Sequence, residues 1–331
     1  MPVPARLAGY LALGFTWALA SASFLAAGES PLRLTQTIAL PKVAGRIDHL
    51  AVDVAGERLF VCALGNNTLE VLDLRKSTRL HTITGLGSPQ GVAFLPESGQ
   101  LVVTNDRHGA CNFYDGKSFA PLGLVELKDN DDNIRYVAGH LYVGYGNGGI
   151  ATIDSGAKRL GSVDVSGHPE AFAVEEHGLR MFVNVPDRHE VAVIDLARGL
   201  VTEQWKLDGA AGNFPMALDE AHHRLFVGCR APAVLVVLDT NSGDLVTKLP
   251  IPGDVDDIFY EKGMHRLLAV CGAGSIAVID QVTPETYKVI ATMPTAPGAR
   301  TGLLVPAWKS LFVAVPESAG HGAEIRRYSV N

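Results

Sequence analysis

The chain has 331 residues, of which 47% are hydrophobic and 19% are charged, so it can bury a large core and is not a disordered chain. Its 28 basic and 35 acidic residues give a net charge of −7, with no long run of Lys or Arg. This balance argues against a protein that binds nucleic acid by neutralising phosphates. The 35 Gly and 18 Pro residues, beside few aromatic ones, favour many short strands joined by tight turns.

The first 28 residues have the pattern of a secretory signal peptide. Arg6 supplies a positive charge, residues 7–20 are apolar, and residues 18–20 form a small-x-small cleavage signal. The alternative is an uncleaved membrane anchor, because small and apolar residues continue to Ala27. The pattern predicts a periplasmic or extracellular protein with no membrane span in its mature form.

A hydrophobic phrase, found first as Arg58-Leu59-Phe60-Val61-Cys62, occurs in seven copies at spacings of 40 to 44 residues. The third residues of the seven copies are Phe60, Val102, Tyr142, Phe182, Phe226, Leu268 and Phe312. About a dozen residues later, six units carry a second phrase that ends in Asp73, Asp115, Asp154, Asp195, Asp239 or Asp280. Each of these Asp residues precedes a turn, where its carboxylate can bond to nearby backbone N–H groups, so we interpret them as structural.

Each repeat contains four short strands, because an apolar stretch precedes the first phrase and a looser one follows the Asp. A repeat of this length and content is typical of a β-propeller blade. The seventh unit lacks a fourth strand, whereas residues 32–40 form a spare strand before the first unit. The sequence therefore predicts an all-β fold, a seven-bladed β-propeller over residues 29–331 in which the N-terminal strand closes the last blade. We expect a single domain and a monomer.

The repeats resemble those of the YVTN-type β-propeller family, named for a Tyr-Val-Thr-Asn phrase in the second strand. Unit two has Val102-Val103-Thr104-Asn105, and the other units keep an aromatic-Val start and a third strand that ends in Asp. The resemblance implies a secreted seven-bladed propeller similar to surface-layer-protein and lactonase-like propellers. Similar propellers include cofactor-independent lactonases, electron-transfer dehydrogenase subunits and binding scaffolds, so the resemblance implies no single chemistry.

The four cysteines, Cys62, Cys111, Cys229 and Cys271, contain no Cys-x-x-Cys pair. Cys229 and Cys271 occupy equivalent positions in neighbouring units, and packed sheets lie about 10 Å apart, beyond the reach of a disulfide. We predict that most of the four are buried free thiols.

Polar residues lead into the first strand of each unit, and in a propeller these first strands surround the central channel. Their leading residues should therefore converge at one mouth of the channel. The predicted ligand-binding residues are Arg46, Asp48, His49, Gln90, Asn133, Arg135, Glu170, Asn213, Asp257 and Arg300. A simpler interpretation is that these residues hold channel water and bond to exposed backbone groups.

Four acids among the leading residues, Asp48, Asp132, Glu170 and Asp256, are candidate metal ligands. Carboxylates that lie close together must take up protons, pair with cations or bind a metal. A ring of oxygen ligands suits Ca²⁺ or Mg²⁺, whereas His49 leaves Zn²⁺ as a less supported possibility.

Arg135 stands where other units have Ala, at a position that packs against a neighbouring blade or the channel. A guanidinium there needs an acceptor. We expect it to pair with Asp132 or Glu170 as a clamp between blades three and four; the alternative is an anchor for an anionic ligand.

The predicted function is an exported binding protein that holds a small polar ligand, a cation or an exported partner protein at the mouth. The alternative is a metal-assisted hydrolase or lyase of a lactone-like molecule, in which His49, His168 and Glu170 are the catalytic candidates and Arg300 holds an anionic group. The chain has no Gly-x-Ser-x-Gly elbow, no phosphate loop and no haem attachment motif. The sequence therefore leaves binding and catalysis both open.

Overall fold

The computed structural model describes residues 1–2, 30–107, 109–127, 130–146 and 148–331. Every strand found in the described residues lies within one compact unit, Pro31–Asn331. The predicted signal peptide falls almost entirely on residues 3–29, which lie outside the described residues. Among the described residues, no helix has the length and apolar character needed to cross a membrane.

The strands form seven antiparallel sheets of four strands each, which are the seven predicted blades. Blade 1 contains β2 (Leu50–Asp53), β3 (Arg58–Ala63), β4 (Thr68–Asp73) and β5 (Thr78–Ile83); blade 2 contains β6 (Pro89–Leu95), β7 (Gln100–Asn105), β8 (Ala110–Asp115) and β9 (Pro121–Glu126). Blade 3 contains β10 (Ile134–Val137), β11 (His140–Tyr145), β12 (Gly149–Asp154) and β13 (Arg159–Asp164); blade 4 contains β14 (Phe172–Val174), β15 (Arg180–Val185), β16 (Glu190–Asp195) and β17 (Leu200–Lys206). Blade 5 contains β18 (Ala211–Asp219), β19 (Arg224–Ala231), β20 (Ala233–Asp239) and β21 (Leu245–Pro250); blade 6 contains β22 (Val255–Glu261), β23 (Arg266–Cys271), β24 (Ser275–Thr283) and β25 (Thr286–Pro294). Blade 7 contains β26 (Gly302–Val305), β27 (Ser310–Val315), β28 (Glu324–Val330) and β1 (Leu32–Ala39), and short 3₁₀ turns span Leu64–Asn66, Pro186–Arg188 and Pro306–Trp308.

The second and third strands of each blade supply most of the core, because both of their faces pack against neighbouring blades. The aromatic anchors of the repeat, Phe60, Phe182, Phe226 and Phe312, are fully buried. The outermost strands, such as β9 and β13, are largely exposed. This difference explains why the second and third strands are almost continuously apolar, whereas the fourth strands are mixed.

The ring closes in blade 7 as predicted, since β1 pairs antiparallel with β28 from Leu32↔Val330 to Ala39↔Glu324. Blades 1 and 7 then share one core cluster that includes Leu50, Phe312 and Ile325. The N-terminal strand thus covers a sheet edge that could otherwise pair with another chain.

The turn aspartates are structural, as expected. Asp73 Oδ1, for example, accepts hydrogen bonds from the backbone N–H groups of Arg75 and Lys76 at 3.0 Å each. Asp280 differs, because it accepts from Arg266 Nε at 2.7 Å. The cysteine prediction is also confirmed: all four are free and buried, and burial raises the pKa of each thiol.

Candidate binding site at the channel mouth

The seven innermost strands surround a channel that contains two cavities. The deeper one has a volume of about 480 Å³ and is lined by residues of the innermost strands themselves, such as Ala51, Met216 and Ile258. The second, which we call the mouth cavity, has a volume of about 360 Å³ and lies where these strands begin. It is lined by Arg46, His49, Leu64, Gln90, Asp106, Asn130, Asp132, Asn133, His168, Glu170, Ala171, Phe214, Arg230, Asp256 and Arg300. His49 lines both cavities and so lies at their boundary.

Most of the predicted site residues meet at the mouth cavity. Those that line it are Arg46, His49, Gln90, Asp132, Asn133, His168, Glu170, Asp256 and Arg300. Asp48 is fully buried beside Arg46, and Asp257 lines the deeper cavity. Two others, Arg135 and Asn213, lie elsewhere.

Arg135 lines the deeper cavity, and its expected ion pair with Asp132 or Glu170 is not found among the described residues. Its Nη1 donates a hydrogen bond to Ile134 O at 2.8 Å, and its guanidinium lies 5.7 Å from the centre of the Phe172 ring. Burial lowers the pKa of Arg135, although the charges of Asp257 and Asp132 oppose the shift. Because Phe172 belongs to blade 4, Arg135 still connects blades 3 and 4, but by a cation–π contact.

Asn213 is fully buried between blades 4 and 5 and lines neither cavity. Its Nδ2 donates to Asn184 Oδ1 at 3.1 Å and to Glu190 O at 3.0 Å. The pairing of β18 with β19 shifts register between Asn213 and Met216, as the innermost strands of blades 2 and 6 also do near their starts, and in blade 5 the next residue, Phe214, lines the mouth cavity.

Three arginines and Asp256 line the mouth cavity together, and Asp254 lies beside two of these arginines. We call Arg46, Arg230, Arg300, Asp254 and Asp256 the arginine side. Arg300 Nε lies 3.0 Å from Asp256 Oδ2, and Arg300 Nη1 lies 3.1 Å from Asp254 Oδ1. Arg230 Nη2 also contacts Asp256, and the side chain of Arg46 remains 43% exposed. Burial raises the pKa of Asp256, although the charges of Arg230 and Arg300 oppose the rise.

Arg230 was not predicted as a site residue, because it belongs to a second strand. The strand β19 is longer than most second strands and carries Arg230 to the mouth cavity. There Arg230 Nε donates to Val255 O at 3.0 Å, and its guanidinium lies 3.9 Å from the centre of the Phe214 ring. The sequence signal was a charged residue directly after the apolar phrase that ends in Cys229.

Asp132, His168 and Glu170 form a second cluster in the lining of the mouth cavity, which we call the carboxylate–histidine side. His168 Nε2 lies 3.9 Å from Asp132 Oδ2 and 3.8 Å from Glu170 Oε1. One potential ligand atom from each residue lies within 4.8 Å of the other two. On the far side of the ring, His168 Nδ1 lies 2.7 Å from Gly146 O, which directs Nε2 toward the two acids.

The three groups of the carboxylate–histidine side share protons. Burial and the charge of Asp132 raise the pKa of Glu170 to about 9. Burial alone would raise the pKa of Asp132 and lower that of His168. The hydrogen bond between them and the charges around them reverse both shifts, lowering the pKa of Asp132 and raising that of His168 to about 9. Near pH 7 the charges are therefore carried by Asp132 and His168, while Glu170 holds a proton.

Asp48 and His49 form a buried charged pair at the base of the mouth. Asp48 is 1% exposed, and neither of its carboxylate oxygens has a hydrogen bond within the described part of the chain. Arg46 Nη2 lies 2.9 Å from Oδ2, and His49 Nε2 lies 3.8 Å from Oδ1. Burial raises the pKa of Asp48 to about 7. Burial alone would lower the pKa of His49, but the hydrogen bond and charge of Asp257, with the charges of Asp48 and Asp132, raise it to about 10.

Two polar residues in second strands hold the mouth backbone in place. Thr104 Oγ1 donates to Asp132 O at 2.6 Å, and Asn184 Nδ2 donates to Phe214 O at 3.0 Å. Both residues occupy the position at which other units have Cys62, Gly144, Gly228, Val270 or Ala314. Thr104 and Asn184 therefore have a polar role that the apolar or small residues at this position in the other units do not supply.

Sequence comparisons give distant relatives only. No family model matches the chain. Over 149 residues, which are 44% of this chain and 41% of the relative, it is 23% identical to the uncharacterized protein YncE of Salmonella typhimurium. A match of the same extent to YncE of Salmonella typhi is 22% identical. The chain thus matches less than half the length of these curated relatives.

Solved structures show the same fold at low sequence identity. A chain of Kuenenia stuttgartiensis hydrazine synthase superposes with a TM-score of 0.75 and 16% identity, over 86% of this chain and 96% of that one. A chain of the mitotic checkpoint complex superposes with a TM-score of 0.76 and 13% identity, over 99% of both chains. These likenesses concern the seven-bladed architecture, and the chemistry must be argued from the mouth.

Proposed function

We propose that this chain is an exported, monomeric binding protein of the YVTN-type propeller family, which holds a small organic acid in its mouth cavity. The observation that carries the proposal is the mouth cavity itself, about 360 Å³ in volume and lined mainly by ionisable and amide side chains. A volume of this size is within the range of small-molecule sites. The signal-peptide pattern supports export, and the weak similarity to YncE is consistent with the family.

The arginine side supports a carboxylate-bearing ligand. Arg46 and Arg300 line the same cavity, and a guanidinium can bind a carboxylate through two parallel hydrogen bonds. Arg46 has 43% of its side chain exposed, although it pairs with Asp48. The amides of Gln90 and Asn133 line the same cavity and can bond to ligand hydroxyl groups.

The alternative function is metal-assisted hydrolysis or lysis of a lactone-like molecule. The observation that favours it is the convergence of Asp132, His168 and Glu170, which combines two possible cation ligands with a group that can move a proton. His49, at the boundary of the two cavities, is a second proton carrier in this alternative.

Calorimetry and thermal shift with citrate, malate, gluconate and gluconolactone test the proposal, with EDTA in one arm and Zn²⁺ in the other. We expect at least one carboxylate to raise the melting temperature by about 4 °C at one hundred times its Kd. The shift should be lost in Arg46→Gln and kept in Arg75→Gln, a control whose guanidinium is 61% exposed and paired with Glu57.

Failure of every compound in both arms would overturn the small-ligand function. Turnover of gluconolactone by the Zn²⁺-loaded protein would instead establish the hydrolase alternative, and binding without turnover supports the binding protein.

A further inference from the structure

We propose that Asp132, His168 and Glu170 bind one divalent ion of the Zn²⁺ or Mn²⁺ class, with an open coordination position that faces the mouth cavity. The inference rests on the proposed function, because it names what the same mouth holds in addition to an organic acid. It differs from the Ca²⁺ or Mg²⁺ ring that the sequence suggested, both in its ligands and in its metal.

The donor atoms are close to the arrangement that such an ion needs. His168 Nε2 lies 3.8 to 3.9 Å from one oxygen of each acid. Ligand atoms about 2.1 Å from a tetrahedral ion are separated from one another by about 3.4 Å. Side-chain shifts of about half an ångström would bring both acid oxygens to this separation from His168 Nε2, and the two acid oxygens already lie within 4.8 Å of each other.

The histidine is oriented as a metal ligand requires. Its Nδ1 lies 2.7 Å from Gly146 O, so this nitrogen donates to the carbonyl and leaves Nε2 to face the two acids. A ligating histidine usually has such a carbonyl or carboxylate partner on its other nitrogen, which fixes the tautomer and the ring plane.

A second observation points to the same place. Asn133 is 2% exposed and lines the mouth cavity, yet its Oδ1 has no hydrogen-bond partner among the described residues. Its Nδ2 lies 3.4 Å from Asp132 Oδ1, so the amide is adjacent to the proposed ligands. A buried acceptor without a donor is uncommon, and water on the open position of the ion would supply one.

The backbone of the two acids is already fixed. Asp132 N donates to Gly144 O at 3.0 Å, and Asp132 O accepts from Thr104 at 2.6 Å. Glu170 N donates to Asn184 O at 3.0 Å. The ligands thus come from rigid blade positions, which favours a preorganised site.

The donor set selects the metal. Ca²⁺ takes six to eight oxygen ligands, and two further acids of the predicted ring, Asp256 and Asp48, are paired with arginines. Asp256 contacts Arg230 and Arg300, and Asp48 contacts Arg46. One imidazole and two carboxylates suit Zn²⁺ or Mn²⁺ better than Ca²⁺ or Mg²⁺.

The arrangement also explains how the two sides of the mouth would work together. The carboxylate–histidine side would hold the ion, and Arg46 and Arg300 line the same cavity. A hydroxy acid could place one oxygen on the ion and its carboxylate on a guanidinium.

Calorimetry of the purified, EDTA-treated and dialysed protein with ZnCl₂, MnCl₂, CaCl₂ and MgCl₂ tests the proposal. We expect one Zn²⁺ per chain in the micromolar range or tighter, and no comparable binding of Ca²⁺ or Mg²⁺. Binding should weaken by at least about 100-fold in His168→Gln and in Glu170→Gln. It should not change in His222→Gln, a matched control that removes a histidine paired with Asp219 at the other end of the channel.

Anomalous scattering at the zinc edge in crystals of the unsubstituted protein gives a readout that does not depend on any variant folding. A peak between the three side chains supports the proposal, whereas a peak elsewhere, or no Zn²⁺ binding below about 100 µM, overturns it. Carboxylate binding that persists in EDTA, without any Zn²⁺ binding, would remove the metal site and leave the proposed function intact. If neither the carboxylates nor Zn²⁺ bound, the proposed function and the metal site would both be overturned.

Discussion

An Asp–His pair lies near each end of the innermost strands, and the two pairs differ in how their charges are satisfied. At the end opposite the mouth, where β18 finishes, His222 Nδ1 lies 2.8 Å from Asp219 Oδ2. Gln281 Nε2 donates to the same oxygen at 2.9 Å. Burial would raise the pKa of Asp219, but the bonds from Gln281 and His222 outweigh it and lower the pKa. At the mouth, His49 lies 3.8 Å from Asp48, which is 1% exposed and has a pKa raised to about 7.

The difference shows which pair belongs to the scaffold and which to the site. The Asp219 carboxylate has the partners that a structural acid needs, so nothing more is required of it. Asp48 has charges nearby but no hydrogen bond from any described residue, which is costly for a buried carboxylate. Buried ionisable groups with shifted pKa values are typical of functional sites, and here they surround the mouth cavity.

The pH dependence of stability should give the largest difference between the two ends. His49 has a folded-state pKa of about 10, above its unfolded value near 6.5, so its stabilising contribution is complete below pH 6.5 and is lost as the pH rises toward 10. Asp48, raised to about 7, acts in the same direction between pH 4 and 7. The free energy of unfolding, measured by urea denaturation in EDTA, should therefore fall by on the order of a few kcal/mol between pH 6 and 9.5.

The substitution His49→Gln should make this loss clearly smaller, because it removes the proton that Asp48, Asp132 and Asp257 retain. His168, whose pKa is also raised, should leave part of the slope. His222→Gln should leave all of it. If the free energy of unfolding of His49→Gln fell with pH as steeply as that of the unsubstituted protein, the pKa of His49 would not be raised by the charges at the mouth.

The hydrogen bonds of Asn184, which connect blades 4 and 5, should give the next largest effect. Asn184→Ala would remove three hydrogen bonds of buried groups: those to Phe214 O and Pro215 O and the one from Asn213 Nδ2. Phe214 O would keep only its bond from Ala171 N, and Asn213 Nδ2 would keep its bond to Glu190 O. We expect the free energy of unfolding to fall by about 2 to 3 kcal/mol, measured by urea denaturation. Asn241→Ala, in an exposed turn, should change it by less than about 0.5 kcal/mol. Equal effects would show that Asn184 does not support the mouth.

The fold was predictable because the repeat is encoded in core residues. Each blade buries its second strand on both faces, so an aromatic or aliphatic residue recurs at 60, 102, 142, 182, 226, 268 and 312. A period of about forty residues follows directly from that packing. The closing strand was predictable for the same reason, since Leu32 and Ile38 needed a partner and blade 7 had one free edge.

The site was predictable as far as the leading residues of the innermost strands converge on one mouth. Arg46, Gln90 and Glu170 line the mouth cavity because they stand at the start of such strands. The side chain of Asn213 is buried between blades 4 and 5 instead, and Arg230 reaches the cavity through the extra length of β19. Hydrophobic periodicity reports neither the direction of a side chain at an irregular strand start nor the length of a strand.

Removal of the histidine at the far end should have the smallest effect. His222 has 38% of its side chain exposed, and exposed ion pairs contribute between about 0 and 1 kcal/mol. In His222→Gln, Asp219 keeps the hydrogen bond from Gln281 at 2.9 Å, so its carboxylate remains satisfied. The melting temperature at pH 6 should therefore fall by no more than about 2 °C in a thermal denaturation scan. A larger fall would show that the Asp219–His222 pair stabilises blade 5 strongly. The comparison with the Asp48–His49 pair would then no longer point to a ligand at the mouth.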